Sequence, residues 1–255
     1  MLWNAFKIGF SMYSKIPMPN TEWTEKNMKY ALCFFPMVGV PIAILMWLWS
    51  IFAQRFCISD TFRASVYVLI PIIVTGGIHI DGLVDTMDAI NSYQPIERKL
   101  EILKDSHIGA FALIGGVSYF ILDIGVWSEI SGKAVIILGF GYVLTRALSG
   151  ASIVTFRCAK TSGLAAGFSE AAQKKRVRMT MIAYIIICII GMLLVDKVLG
   201  AVSVVTAFGV FTYYRVMSYK KFGGITGDLA GFFLQICEIS MALVIVLVQK
   251  LIMYL

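Results

Sequence analysis

The sequence predicts an all-α fold, a polytopic membrane bundle of about seven transmembrane helices with the N-terminus in the cytoplasm. Three observations carry this. Of 255 residues, 59% are hydrophobic and only 15% charged, with a mean hydropathy of +0.83, more apolar than a soluble domain needs. Apolar stretches of bilayer-crossing length recur along the whole chain. Lysine and arginine alternate between connections, fifteen on one set against five on the other. By the positive-inside rule the rich set is cytoplasmic, which also accounts for the net charge of +7 without a nucleic-acid partner.

The first stretch, MLWNAFKIGFSMYSKIPMPN, lacks the basic start, uncharged core and small-residue site of a cleaved signal peptide. It reads as an interfacial segment: Trp3, Phe6, Phe10 and Tyr13 are apolar, while Lys7 and Lys15 can snorkel. Spans are expected at 31–53, 62–75, 109–128, 134–152, 179–196, 199–217 and 235–254. With no repeat and no flexible linker, residues 1–255 form a single domain. The five cysteines are scattered without CxxC spacing, so neither a disulfide framework nor a zinc site is indicated.

Between the second and third spans lies a cytoplasmic loop, 76–108, holding most of the acidic chemistry. On a helix, Asp81, Asp85 and Asp88 stand at i, i+4 and i+7, three carboxylates along one stripe. Unneutralised, they repel one another, so a cation is expected there and the loop reads as metal-binding. Pro95 suits the first turn of a second helix, in which Ile96, Leu100 and Leu103 form the apolar stripe and Glu97, Glu101 and Asp105 adjoin it. The loop is therefore two helical segments joined near 91–94. His79 can orient a carboxylate or bind substrate, and is equally compatible with an ordinary interfacial histidine.

The 153–178 loop carries Arg157 and Lys160, which can reach phosphates, then TSGLAAGF (161–168), and then KKRVR, a topology anchor. Arg146 interrupts the fourth span, and an intramembrane arginine is a pairing or functional residue by default; Arg215 lies in the equivalent region of the sixth. In KKFGGITGDLAGFF (220–233), Gly224 and Gly227 flank Thr226, and glycine-borne N–H groups can cradle phosphate oxygens. The spacing is not that of a P-loop. Asp228 follows as a second candidate metal ligand or base.

GGIHIDGLVDTMDA, LEILKDSHIGAFA and GGITGD together resemble the signature segments of the cobalamin synthases, the adenosylcobinamide-GDP ribazoletransferases; SKIPMP (14–19) and FPMVG (35–39) are weaker echoes. The resemblance covers nearly the whole chain. It implies a magnesium-dependent transferase of the prokaryotic inner membrane, its active site facing the cytoplasm. Such an enzyme joins adenosylcobinamide-GDP to α-ribazole, or its 5′-phosphate, and releases GMP. The family's acidic motif falls on Asp81, Asp85 and Asp88, the expected Mg2+ ligands, and its later aspartates on Asp105 and Asp228. His107 stands where the family usually shows arginine, Ala89 where glycine is common, and LAAGF where a GLG-type turn is usual.

This chemistry agrees with the residues. Displacement at a pyrophosphate calls for a cation on carboxylates. Lys104, Arg146 or Arg157 would support the phosphates, and Asp105 and Asp228 are the candidate bases. His79, Gly224, Thr226 and Gly227 complete the expected substrate contacts. Membrane lipid is the expected surrounding partner, and homo-oligomerisation is left open. Two other readings fit less well. A CDP-alcohol phosphotransferase has a different aspartate spacing and an Ala-Arg pair. A cation-coupled transporter would need broken helices at mid-membrane and usually repeated halves.

Overall fold

A computed structural model describes residues 1–105, 107–159 and 164–254. Among these residues the chain is helical throughout, and its one β-type pairing is an isolated bridge between Cys158 and Ile225. The helices are α1 (Leu2–Tyr13), α2 (Glu25–Met28), α3 (Gly39–Arg55), α4 (Asp60–Thr75), α5 (Ile78–Asn91) and α6 (Ile96–Ile102). They continue with α7 (Ala110–Glu129), α8 (Lys133–Thr155), α9 (Leu164–Ala171), α10 (Lys174–Val195), α11 (Lys197–Phe222) and α12 (Gly227–Tyr254). Two 3-10 turns, Ala31–Phe34 and Pro36–Val38, lead into α3.

Six helices are long and apolar enough to cross a membrane, and the count is seven if the bent pair α4 and α5 is taken as one span. The expected multi-pass helical bundle is therefore present. At its centre is α8, with 83% of its apolar window buried, whereas the same figure for α10 is 22%. A helix apolar all round belongs in a core, and the lipid-facing helices expose their large side chains outward, as Ile187, Leu194 and Val205 do.

Several boundaries differ from the sequence reading, among them the end of α11, which runs to Phe222 and not 217. The first span starts in 3-10 turns around Pro36, whose missing N–H prevents a continuous α-helix back to residue 31. In α10 the basic run 174–178 forms the first turns of the helix itself. The last span begins at Gly227, eight residues early, where Thr226 caps its start and its first turns pack against α5.

The chain alternates ends consistently. At one end, Arg63 donates to the Ser128 carbonyl (3.1 Å) and Lys250 pairs with Glu129 (2.6 Å), tying α4, α7 and α12 together. The polar connections 76–105, 107–109, 156–159 and 223–226, with α1, collect at the other end.

Candidate active site

At the end of α4, Gly76 and Gly77 take left-handed conformations (φ +68° and +80°). Two such residues in succession are cheap only for glycine, and they turn the chain so that α5 leaves α4 at 98°. Thus α5 departs from the crossing and lies across the polar end of the bundle. The Lys15 amide donates to the Val74 carbonyl (2.8 Å), fixing the end of α1 against this hinge.

One face of α5 (His79, Gly82, Leu83, Thr86 and Ala89) is buried. Its partner is the start of α12, and glycines set the approach. A Cβ on Gly82 would stand 2.6 Å from the Asp228 carbonyl oxygen, and one on Gly231 would stand 3.1 Å from that of His79. Small residues at a crossing let backbones meet, which carries Asp228 across to the α5 carboxylates.

The result is a cleft of about 970 Å³ lined by Asp81 and Asp85 from α5, Asp228 from α12, Lys104, Asp105 and His107 from the following loop, and Ser11, Ser14 and Lys15 from α1 and its end. Desolvation, then the neighbouring charges of Asp81, Asp228 and Asp88, push the Asp85 carboxyl up to about 7. Burial and like charge both disfavour the ionised carboxylate. Asp88 is not in the lining; its carboxylate packs against Gly109, the residue before α7, where a Cβ would overlap it.

Asp105 is exposed and held below the usual carboxylate range, chiefly by the His107 backbone N–H (3.0 Å) and then by the His107 ring (2.7 Å). His79 is buried, and desolvation, followed by the charge of Arg146, keeps its imidazole well below its ordinary value.

The other expected contacts are engaged elsewhere. Arg146 is fully buried away from the cleft, its Nη1 donating to Glu238 Oε1 and to the Tyr142 carbonyl, both at 2.8 Å. Its charge neutralises Glu238, a buried carboxylate in the body of α12 and 92 residues away in sequence. Arg157 donates through Nε to the Gly223 carbonyl (3.0 Å) and lies over the Tyr219 ring. Arg215 packs on the Phe156 and Tyr219 rings.

Paired amides anchor the glycine loop: Ile225 N–H donates to the Arg157 carbonyl and Ala159 N–H to that of Ile225, each at 2.9 Å. Gly224 N–H is already given to the Ser218 carbonyl (3.2 Å), so it is not a free phosphate donor here. A side chain at 224 would overlap the Arg157 carbonyl, so the glycine serves this close approach. Thr226 Oγ1 accepts from Leu229 N–H (3.2 Å), capping α12. Gly227 opens that helix with space around it. Lys160 and 161–163 lie outside the described residues.

Lys15 escaped the sequence reading as a site residue, although the SKIPMP echo contained it. Its place beside the carboxylates depends on α1 folding back onto the hinge.

Among the described residues no group of three or more His, Cys, Asp and Glu side chains is arranged to hold a metal ion by itself. Magnesium does not need one: it keeps water and binds through one or two carboxylates together with substrate phosphates. Oxygen donors from Asp81 and Asp85 on an open cleft, with Asp228 facing them from α12, fit that requirement.

The family model for cobalamin-5-phosphate synthase matches residues 5–246. A protein of Lachnoclostridium phytofermentans named adenosylcobinamide-GDP ribazoletransferase is 46% identical over 255 residues, covering all of this chain and 98% of its own. Proteins of that name from Clostridium botulinum (30% identical; 93% of this chain, 95% of theirs) and Treponema denticola (29%; 92% and 95%) are also similar. No solved structure matches the chain.

Proposed function

Because the chain belongs to the cobalamin-5-phosphate synthase family, we propose that it is the membrane transferase joining adenosylcobinamide-GDP to α-ribazole, or to its 5′-phosphate, with release of GMP. The observation that carries this reading is the convergence of Asp81, Asp85 and Asp228 with Lys15 and Lys104 on one open cleft.

In this reading Asp81 and Asp85 hold Mg2+, with Asp88 as a third carboxylate one turn along α5. When bound, the ion neutralises the non-bridging phosphate oxygens and the departing GMP. Lys104 and Lys15 add positive charge to the pyrophosphate. A ribose hydroxyl of the acceptor attacks the phosphorus on the cobinamide side. The new P–O bond forms as the bridging P–O bond breaks, GMP leaves with the bridging oxygen, and the hydroxyl proton passes to a carboxylate. Asp228 faces the α5 acids from a different helix and is assigned as that base. Asp105 ranks below it, since its charged form is stabilised by His107 and accepts a proton poorly.

The excess of Lys and Arg in the segments that the sequence assigns to one face, Lys15 and Lys104 of the cleft among them, orients that side toward the cytoplasm of a prokaryotic cell membrane.

The test uses purified protein in detergent with adenosylcobinamide-GDP, α-ribazole and magnesium. Cobalamin product and GMP are expected. Asp81→Ala and Asp85→Ala are each expected to lose at least a hundredfold in rate; a well-folded variant with full activity at saturating magnesium would sink the metal assignment. Folded wild-type protein that gives no product would favour CDP-alcohol phosphotransfer.

A further inference from the structure

Behind the acidic cleft lies a second, smaller cavity of about 250 Å³. Asp81 and Asp228 line both, so the carboxylates stand at the boundary between the two spaces. Its walls are apolar and aromatic: Tyr13, Phe35, Ile78, Ile153 and Leu234. The Tyr13 and Phe35 rings lie 4.1 Å apart between centroids, and the His79 ring is 6.0 Å from Phe35.

His79 and Ser149, both in this lining, each carry a buried polar atom without a partner among the described residues, Nε2 and Oγ respectively. Both residues are more than nine-tenths buried, at 5% and 1% exposure. A helical serine ordinarily returns its hydroxyl to the preceding turn, as Ser152 and Thr155 do on the same helix, donating to the Ser149 and Ala151 carbonyls at 2.7 Å. Ser149 does not. An unsatisfied buried polar group costs about 1–3 kcal/mol, so the Ser149 hydroxyl beside an apolar pocket points to a ligand that supplies the missing partner.

We infer that this pocket seats the flat aromatic base of the acceptor nucleoside, with the Ser149 hydroxyl donating to its one free ring nitrogen and the His79 ring forming part of the wall. The inference rests on the transferase reading above and adds to it the place of the acceptor. An apolar slot with a few convergent polar atoms is the expected site for a bicyclic heteroaromatic ring. It is too small for the macrocycle of the donor, which is left to the large cleft. A lipid chain would fill the apolar walls and leave the Ser149 hydroxyl unpaired. With the base in the small pocket, the ribose reaches the boundary formed by Asp81 and Asp228, where its hydroxyl meets the activated phosphate and the proposed base.

The experiment is steady-state kinetics of GMP release in detergent, varying each substrate with the other saturating. Ser149→Ala is expected to raise the KM for α-ribazole about five- to tenfold, the size of one lost hydrogen bond, and to leave the KM for adenosylcobinamide-GDP within twofold. Ala230→Leu, which fills the same pocket from α12, is expected to raise the acceptor KM further. It should also penalise α-ribazole more than a nucleoside carrying a bare imidazole. Thermal unfolding in detergent checks both variants, and Ala230→Leu carries the test if Ser149→Ala fails to fold. Folded variants with unchanged acceptor KM, or with the rise in the donor KM instead, overturn the inference while the transferase reading stands. Wild-type protein that releases no GMP overturns the reading, and the inference with it.

Discussion

Substituting Gly82 by alanine tests whether the crossing of α5 and α12 builds the site. A Cβ there would lie 2.6 Å from the Asp228 carbonyl oxygen and 3.0 Å from its Cα, and both atoms are backbone. Neither can rotate away, so α5 and α12 must separate by roughly 0.5–1 Å to regain ordinary contact, an overpacking that costs about 1–3 kcal/mol. The same shift moves Asp228 away from Asp81 and Asp85. A misplacement of about 1 Å between reacting groups can lower the rate on the order of a hundredfold. Gly82→Ala is therefore expected to unfold at a lower temperature in detergent yet remain folded at assay temperature. Its kcat for GMP release should fall by one to two orders of magnitude (about 10- to 100-fold). Gly125→Ala, on the outer face of α7 with nothing within 4 Å, is the control and is expected to keep wild-type kcat. Wild-type turnover by folded Gly82→Ala would refute the claim that this close approach positions the carboxylates.

Two further outcomes follow from the electrostatics. The Asp85 carboxyl is raised from 3.8 to about 7, so in that window the magnesium-free folded state holds a proton that the unfolded chain has released. Stability in chelator is expected to fall as pH rises from about 4 through about 7 and then level off; Asp85→Asn should flatten the slope and added magnesium oppose it, and a wild-type Tm independent of pH over that range would be the contrary result. Glu238→Ala strands the buried Arg146 charge and is expected to destabilise by about 3–5 kcal/mol. Adding Arg146→Met should recover much of the loss, and no recovery in the double variant would show that the pairing is not the source.

The stripe of Asp81, Asp85 and Asp88, the two-helix form of the 76–108 loop and the membrane crossings were all legible in the sequence. Each depends on a local period or on a run of apolar residues, and such patterns do not need a partner to be read. The chain order of the motifs likewise pointed to the family. What could not be read was convergence. Asp228 joins Asp81 and Asp85 in the cleft while Asp88 turns to Gly109, and the glycines of one crossing decide this. Arg146 goes to Glu238, 92 positions on, because a buried guanidinium must find a buried carboxylate wherever the packing brings one. Lys15 enters the cleft because the end of α1 is held against the hinge of two left-handed glycines that closes α4. Local sequence determined which helices form and which charges they carry. Tertiary packing decided which charges meet, since that depends on distances between segments far apart in the chain.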